Sequence, residues 1–295
     1  SGKQLKKLQL IIKMMSKKKN SLKIIKSIQR MEKIALLIKG RGKVSFVPTM
    51  GALHEGHIAL VKKAKKVANI VIVSIFVNPI QFSEKKDLKT YPRTLKNDIK
   101  KLKDLGVDYV FIPKAQDLFN QDFQTKVTVQ NFQNHLCGIS RKNHFDGVTT
   151  IVLKLFNIVK PDQAIFGKKD MQQLIIIKTM VRELNMDIKI IPHKIIREKE
   201  GLAMSSRNNL LNNSEKKLAN NIYQGLKIAK NLYSRNKKVT SSYIKAALKK
   251  TYKDAGIKNI EYIEIMNPKQ MSYPKKPSKK DFIAVAVRIG NTRLI

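Results

Sequence analysis

Apolar runs and amphipathic stretches alternate along the chain. In residues 21–38, Leu22, Ile25, Ile28, Met31, Ile34, Ala35 and Ile38 recur at helical spacing, and Lys39-Gly40-Arg41-Gly42 closes the predicted helix. A short strand is predicted at 44–48, followed by a helix in which Leu60, Val61, Ala64 and Val67 share one face. Residues 70–77 form an unbroken apolar run of strand length, as expected of a sheet buried on both faces. The charged, aperiodic stretch 83–93 predicts a mobile loop. Leu95, Ile99, Leu102 and Leu105 then mark a helix stopped by Gly106, and 108–112 is another strand.

Residues 117–147 are harder to read, with one strand expected at 125–129 and a loop over 137–146. A helix over 148–159, a strand over 162–166, a helix over 171–184 and a strand over 188–192 restore the alternation. Strands alternating with helices predict an α/β class, with a mostly parallel sheet and right-handed crossovers. The pattern changes near Ile196: a loop at 200–209, helices over 214–233 and 241–255, and strands over 259–266 and 282–289 predict a small α+β unit with an antiparallel pair. The expected organisation is a basic extension over 1–20, a first domain over 21–195 and a second over 196–295.

Composition narrows the class. No apolar run reaches the eighteen or more residues of a membrane span, so a cytoplasmic protein without a membrane partner is expected. The single cysteine, Cys137, cannot form an internal disulfide. A net charge of +39 ordinarily suggests nucleic acid. Here the excess is chiefly lysine, is spread over the whole length and accompanies many Ile and Asn, which fits codon bias better, and no nucleic-acid partner is expected.

The candidate chemistry sits where predicted strands end. Between the strand at 44–48 and the next helix lies Met50-Gly51-Ala52-Leu53-His54-Glu55-Gly56-His57. His54 and His57, three residues apart at a helix start, share a face with the unpaired N–H groups of the first turn, where anions collect. No Cys or carboxylate at matching spacing completes a zinc set. Capping favours Ser, Thr, Asp and Asn, so the pair reads better as donors to nucleotide phosphates than as caps. Ser205-Ser206-Arg207 offers two hydroxyls and a forked cation to a polyphosphate. Lys169 and Asp170, directly after a buried strand, offer a cation for phosphate and a carboxylate for ribose hydroxyls. The amides of Gln81 and Gln173, just past strand ends, suit a small polar acid. No Walker loop, triad serine or activated cysteine is present, which favours direct displacement between bound substrates. Residue chemistry alone leaves open a transferase that retains AMP in its product.

Pro48 to His57, Phe76-Val77-Asn78-Pro79-Ile80-Gln81-Phe82, Tyr91-Pro92-Arg93, His144-Phe145-Asp146-Gly147-Val148, Phe166 to Gln173, Met204-Ser205-Ser206-Arg207-Asn208 and Ala286 to Ile295 together resemble the pantoate-β-alanine ligases, in the same order and spacing from about Ser21 to the end. The resemblance implies a Rossmann-like parallel-sheet domain, a smaller α+β lid domain and a homodimer. It implies that pantoate attacks ATP, with Mg²⁺ present, to give pantoyl adenylate and pyrophosphate, and that β-alanine then displaces AMP. By the same resemblance Met50, Gly51, Ala52, Leu53, His54, Glu55, Gly56, His57, Gly167, Lys168, Lys169, Asp170, Ile196, Met204, Ser205, Ser206 and Arg207 contact ATP. His57, His54, Lys169 and Arg207 are the catalytic set, Gln81 and Gln173 hold pantoate, and Gln81 also lies near β-alanine. The chain departs from the family at Lys142-Asn143, where Pro-Gly is common, and at Lys168, where an acidic or polar residue is common.

Overall fold

A computed structural model describes residues 21–82 and 85–295; the basic segment 1–20 and the first two positions of the loop expected at 83–93 lie outside the described residues. One sheet holds six parallel strands in the order β1-β4-β3-β2-β5-β6, where β1 is Lys23–Ile25, β2 Val44–Thr49, β3 Ile70–Ile75, β4 Tyr109–Phe111, β5 Gln163–Gly167 and β6 Lys189–His193. The main connecting helices are α1 Ile28–Ile38, α2 Glu55–Val67, α3 Leu95–Asp104, α4 His144–Val159 and α5 Met171–Glu183. A second sheet of three antiparallel strands, β7 Asn259–Met266, β8 Phe282–Ile289 and β9 Thr292–Leu294, packs with α6 Asn213–Arg235 and α7 Ser241–Asp254.

The two-sided apolar strands explain the layering. Phe46, Ile72 and Ala164 point into one core with Met31, Leu155 and Ile177, whereas their neighbours Val47, Val73 and Ile165 point into another with Val61, Ala64 and Leu102. Successive side chains of a strand face opposite ways, so helices cover both faces. The chain runs outward from β2 through β3 to β4, then returns to place β5 on the other side of β2. That reversal puts the switch in strand order at the carboxyl ends of β2 and β5, the place where open α/β sheets bind ligands.

Several local expectations need correction. The helix expected over 21–38 begins only at Ile28, where the Ser27 hydroxyl accepts from Arg30 N–H, and Lys23–Ile25 instead pairs with β4 as an edge strand. A helical period fitted across the junction hid a three-residue strand. Part of the expected loop at 83–93 is a short helix, Lys85–Thr90. No strand forms at 125–129: Thr149 Oγ1 donates to Val127 O and Val127 N–H donates to Thr150 Oγ1, so side chains of α4 satisfy this backbone in place of a sheet. The loop expected over 137–146 holds a short helix, Cys137–Ser140, and α4 begins at His144 rather than 148. The antiparallel pair gains a third strand, β9.

One buried carboxylate fixes the loop that leaves β2. Gly51 (φ 79°) and Ala52 (φ 48°) both adopt left-handed backbone, which is strained for Ala. Asp98, 1 % exposed on α3, accepts Ala52 N–H at 2.9 Å, Leu53 N–H at 2.8 Å and the Thr94 hydroxyl at 3.1 Å. A Cβ on Gly51 would lie 3.2 Å from Asp98 Oδ2 and 3.1 Å from Ile75, so loop and helix are in close contact. Asp98→Ala should therefore orphan two buried N–H groups and lower stability by about 2–4 kcal/mol. Urea unfolding monitored by circular dichroism checks this, and an unchanged midpoint would contradict it.

Candidate active site

The two histidines of the β2–α2 turn cap the helix themselves. His54 is the N-cap of α2, and its Nδ1 accepts Gly56 N–H at 3.1 Å; His57 Nδ1 in turn accepts His54 N–H at 3.4 Å. The rings lie against each other, tilted by 37° with centroids 4.0 Å apart. Sequence reasoning set capping aside because histidine is uncommon at helix caps, and the structure corrects this: both rings cap α2. An Nδ1 that accepts carries no proton, so each neutral ring bears its proton on Nε2. Burial, then the Lys169 charge, lowers the His54 pKa to about 4. Burial, then His54 beside it, lowers that of His57 to about 3. Both imidazoles are thus neutral near pH 7, each with one Nε2–H and no described residue bound there. Gly56 permits this arrangement: a Cβ there would meet the His54 ring at 2.8 Å, and it would lie 3.5 Å from Met204 Cβ. Lys101 donates to Leu53 O and adds a further cation near both rings.

The end of β5 faces the same space. Gly167 is the last residue of β5, and Lys168, Lys169 and Asp170 form a tight turn before α5. Lys169 Nζ lies 3.3 Å from Asp170 Oδ1. Burial opposes ionisation of Asp170, but Lys169, and more weakly Arg207 and His144, outweigh it and hold its carboxyl below the usual range. The Asp170 and Lys169 charges both act on His54 and His57, so the turns after β2 and β5 adjoin. Lys168 and Glu55 are exposed, and no described contact ties either side chain to the cluster.

A third turn follows β6. Ile196 O accepts Met204 N–H, and Asn208, 4 % exposed, donates to Glu198 and Ala203 O, closing a compact loop. Ser205 Oγ accepts Arg207 N–H, and Ser206 Oγ lies 3.3 Å from Tyr91 OH. Arg207 Nη2 donates to Asp87 at 2.9 and 3.3 Å. Arg207 also acts on Asp170, which brings the post-β6 loop to the other two turns.

The two amides singled out from the sequence have different surroundings. Gln81, 9 % exposed in the turn after β3, receives Asn78 Nδ2 on its Oε1, while its Nε2 meets Met50 Sδ at 2.9 Å. Gln173, in the first turn of α5, has no hydrogen-bond partner among the described residues. Its neighbour Gln172 is buried, accepting Cys137 N–H and donating to Phe132 O and His135 O, and so fixes the 132–137 segment. Asn143, at the departure from Pro-Gly, takes φ 61°, a left-handed conformation that Asn tolerates. His144 Nδ1 then donates to Gln81 O at 2.6 Å, and its Nε2 faces Arg141 Nη1 at 3.4 Å. Sequence reasoning passed over Asp87, Asp98 and Lys101, which sit in charged helical stretches with nothing local to set them apart, and gave Tyr91, Arg141 and His144 no role.

The sequence model of the family described as pantoate-beta-alanine ligase matches residues 23–295. A pantothenate synthetase of Caldicellulosiruptor bescii is 46% identical over 273 residues, covering 92% of this chain and 96% of the relative. The crystal structure of pantothenate synthetase from Thermus thermophilus superposes with a TM-score of 0.87 at 32% identity, covering 92% of this chain and 97% of that one. A pantoate-beta-alanine ligase from Francisella tularensis, solved with beta-gamma ATP and beta-alanine, gives 0.77 at 35% identity, covering 92% and 95%. With the family model matching nearly the whole described chain, this protein belongs to the pantoate-β-alanine ligase family.

Proposed function

We propose that the site at the carboxyl ends of β2 and β5 carries both half-reactions of this family: pantoate and ATP give pantoyl adenylate and pyrophosphate, then β-alanine gives pantothenate and AMP. A pantoate carboxylate oxygen bonds to the α-phosphorus as the bond from that phosphorus to the bridging oxygen breaks, and pyrophosphate leaves. The β-alanine nitrogen then attacks the activated carbonyl, sheds its proton, and the bond to AMP breaks. Adenylation is needed because a free carboxylate has no adequate leaving group.

We carry the roles over from the family resemblance, with charge and tautomer in support for the histidines and cations. His57 and His54 supply Nε2–H donors to the α- and β-phosphates, where negative charge moves during displacement. Lys169 and Arg207 neutralise the departing pyrophosphate. The loop from Met50 to Gly56, Gly167 to Asp170, Ile196 and Met204 to Ser206 line the nucleotide, with Asp170 toward the ribose hydroxyls. Gln81 and Gln173 hold pantoate, and Gln81 also adjoins β-alanine. The observation that carries this assignment is the paired Nδ1 cap, which commits both rings to the Nε2–H form beside a lysine. Residues 21–195 act as the nucleotide domain and 196–295 as the lid.

No group of three or more His, Cys, Asp or Glu side chains clusters for metal binding among the described residues. Among the described residues the donor set therefore builds no protein cage for Mg²⁺, and the nucleotide phosphates would hold the ion, which would supply charge neutralisation there. From family resemblance we also assign a homodimer and a cytoplasmic setting. No helix among the described residues is long and apolar enough to cross a membrane.

Exchange of labelled pyrophosphate into ATP should occur with pantoate and without β-alanine, and His57→Ala should slow it by roughly 10²–10³-fold, the loss of one preorganised donor. Exchange absolutely dependent on β-alanine would refute the adenylate, and parental exchange in the variant would refute the role of His57. The same assay has an expected pH profile. With pKa values of about 3 and 4, the folded-state imidazoles are neutral from about pH 5 upward, so their protonation gives no inflection near 6.5. The unfolded chain binds those protons at the ordinary value, so the stability contribution is complete above about 6.5 and falls as pH drops below it. An exchange rate rising on acidification through pH 6.5 would contradict neutral donors.

A further inference from the structure

Asp87, on the short helix Lys85–Thr90, has been given no part in the reaction. Its Oδ2 accepts Arg207 Nη2 at 2.9 Å and lies 3.7 Å from Arg141 Nη2, while Oδ1 lies 3.3 Å from the same Arg207 nitrogen. Two guanidiniums from distant parts of the chain thus meet on one carboxylate. The arginine side chains are 25 % and 16 % exposed and Asp87 is 34 % exposed, so water screens their mutual repulsion only in part. The Arg207 loop is rooted in the C-terminal core by buried Leu202 and Leu211, so the Asp87 contact joins the two halves of the protein.

The bonding is selective. Arg207 spends only Nη2 on Asp87, and its Nη1 and Nε have no partner among the described residues. Arg141 spends Nη2 on Asp87 and Nη1 on His144, whose Nδ1 donates to Gln81 O. A chain of contacts therefore runs from Arg207 through Asp87, Arg141 and His144 to Gln81. It connects the cation assigned to phosphate with the backbone of Gln81, the residue whose side-chain amide is assigned to the acid. Tyr91 OH against Ser206 Oγ ties the same segment to the same loop independently of charge.

We propose that Asp87 is a positioning residue for adenylation: it holds the Arg207 and Arg141 guanidiniums together despite their repulsion and leaves the remaining Arg207 N–H groups free for the polyphosphate. Asp87 touches no reacting atom and works only through the arginines, so its role depends on Arg207 meeting phosphate as proposed above. An internal competitor would behave differently, since removing it would tighten ATP binding and leave turnover intact. A positioning residue gives a split: turnover falls, while the KM for ATP does not rise because a negative charge near the phosphates is gone.

The test is steady-state pyrophosphate release with saturating pantoate in four full-length variants: Asp87→Asn, Asp87→Glu, Arg207→Ala and the Asp87→Asn, Arg207→Ala double variant. Asp87→Asn should lower kcat by roughly 10- to 100-fold, the usual loss when a group supporting a ligand-binding side chain is removed, with KM for ATP unchanged or lower. Asp87→Glu, which keeps the charge, should recover part of the loss. In the Arg207→Ala background the Asn substitution should lose most of its effect on kcat, the remainder acting through Arg141. A kcat for Asp87→Asn within about twofold of the parent, or an undiminished loss in the Arg207→Ala background, overturns the proposal. Undamaged adenylation in Arg207→Ala overturns instead the assignment of Arg207 to phosphate. Partial exposure of Asp87 and the separate Tyr91 tie leave the fold intact in the Asn variant, and the Glu variant carries the comparison if it does not.

Discussion

The first turn of α2 sets the terms for the rest of the site. Two backbone N–H groups that a helix start leaves unpaired are taken by two imidazole nitrogens, His54 Nδ1 and His57 Nδ1. A serine cap would satisfy the same helix equally well. It would not leave two N–H donors aimed outward from a rigid element, with their protons fixed by a backbone bond on the opposite side of each ring. Stability and chemistry thus share the same atoms, and Gly56 is required because any side chain there would strike the His54 ring.

Around that turn the fold arranges charge. Reversal of strand order at β2 and β5 brings Lys169 and Asp170 beside the histidines, and the loop after β6 adds Arg207. The histidines stay neutral because they are buried among cations; Lys169 lies against the carboxylate of Asp170, and Arg207 and Arg141 against that of Asp87. On the roles proposed above, neutral donors at the α-phosphate and full charges farther out would suit a reaction whose negative charge moves from the α-phosphate to a departing pyrophosphate. The overall charge of +39 attracts anionic substrates in general, without selecting among them.

Legibility in the sequence followed the range of the interactions. The α/β alternation was readable because two-sided burial writes itself as runs such as 70–75, and the two histidines were readable because their spacing is local. Helix starts at 28 and 144 were missed, since Ser27 capping and the αL turn at Asn143 do not alter hydrophobic period. The supposed strand at 125–129 had β-prone residues but found its hydrogen bonds on Thr149 and Thr150 of α4 instead of a sheet. Asp98 and Asp87 could not have been singled out. Each is an ordinary acid in a lysine-rich helix until folding brings it to partners 45 or 120 residues away.

Protonation of the two rings is directly observable. Long-range nitrogen–proton correlation spectra of the ¹⁵N-labelled protein at pH 7, assigned with His54→Ala and His57→Ala variants, should show both imidazoles neutral, with the proton on Nε2 and a bare Nδ1. A proton on Nδ1 of either ring, or an imidazolium, would contradict the paired cap and the donor role derived from it.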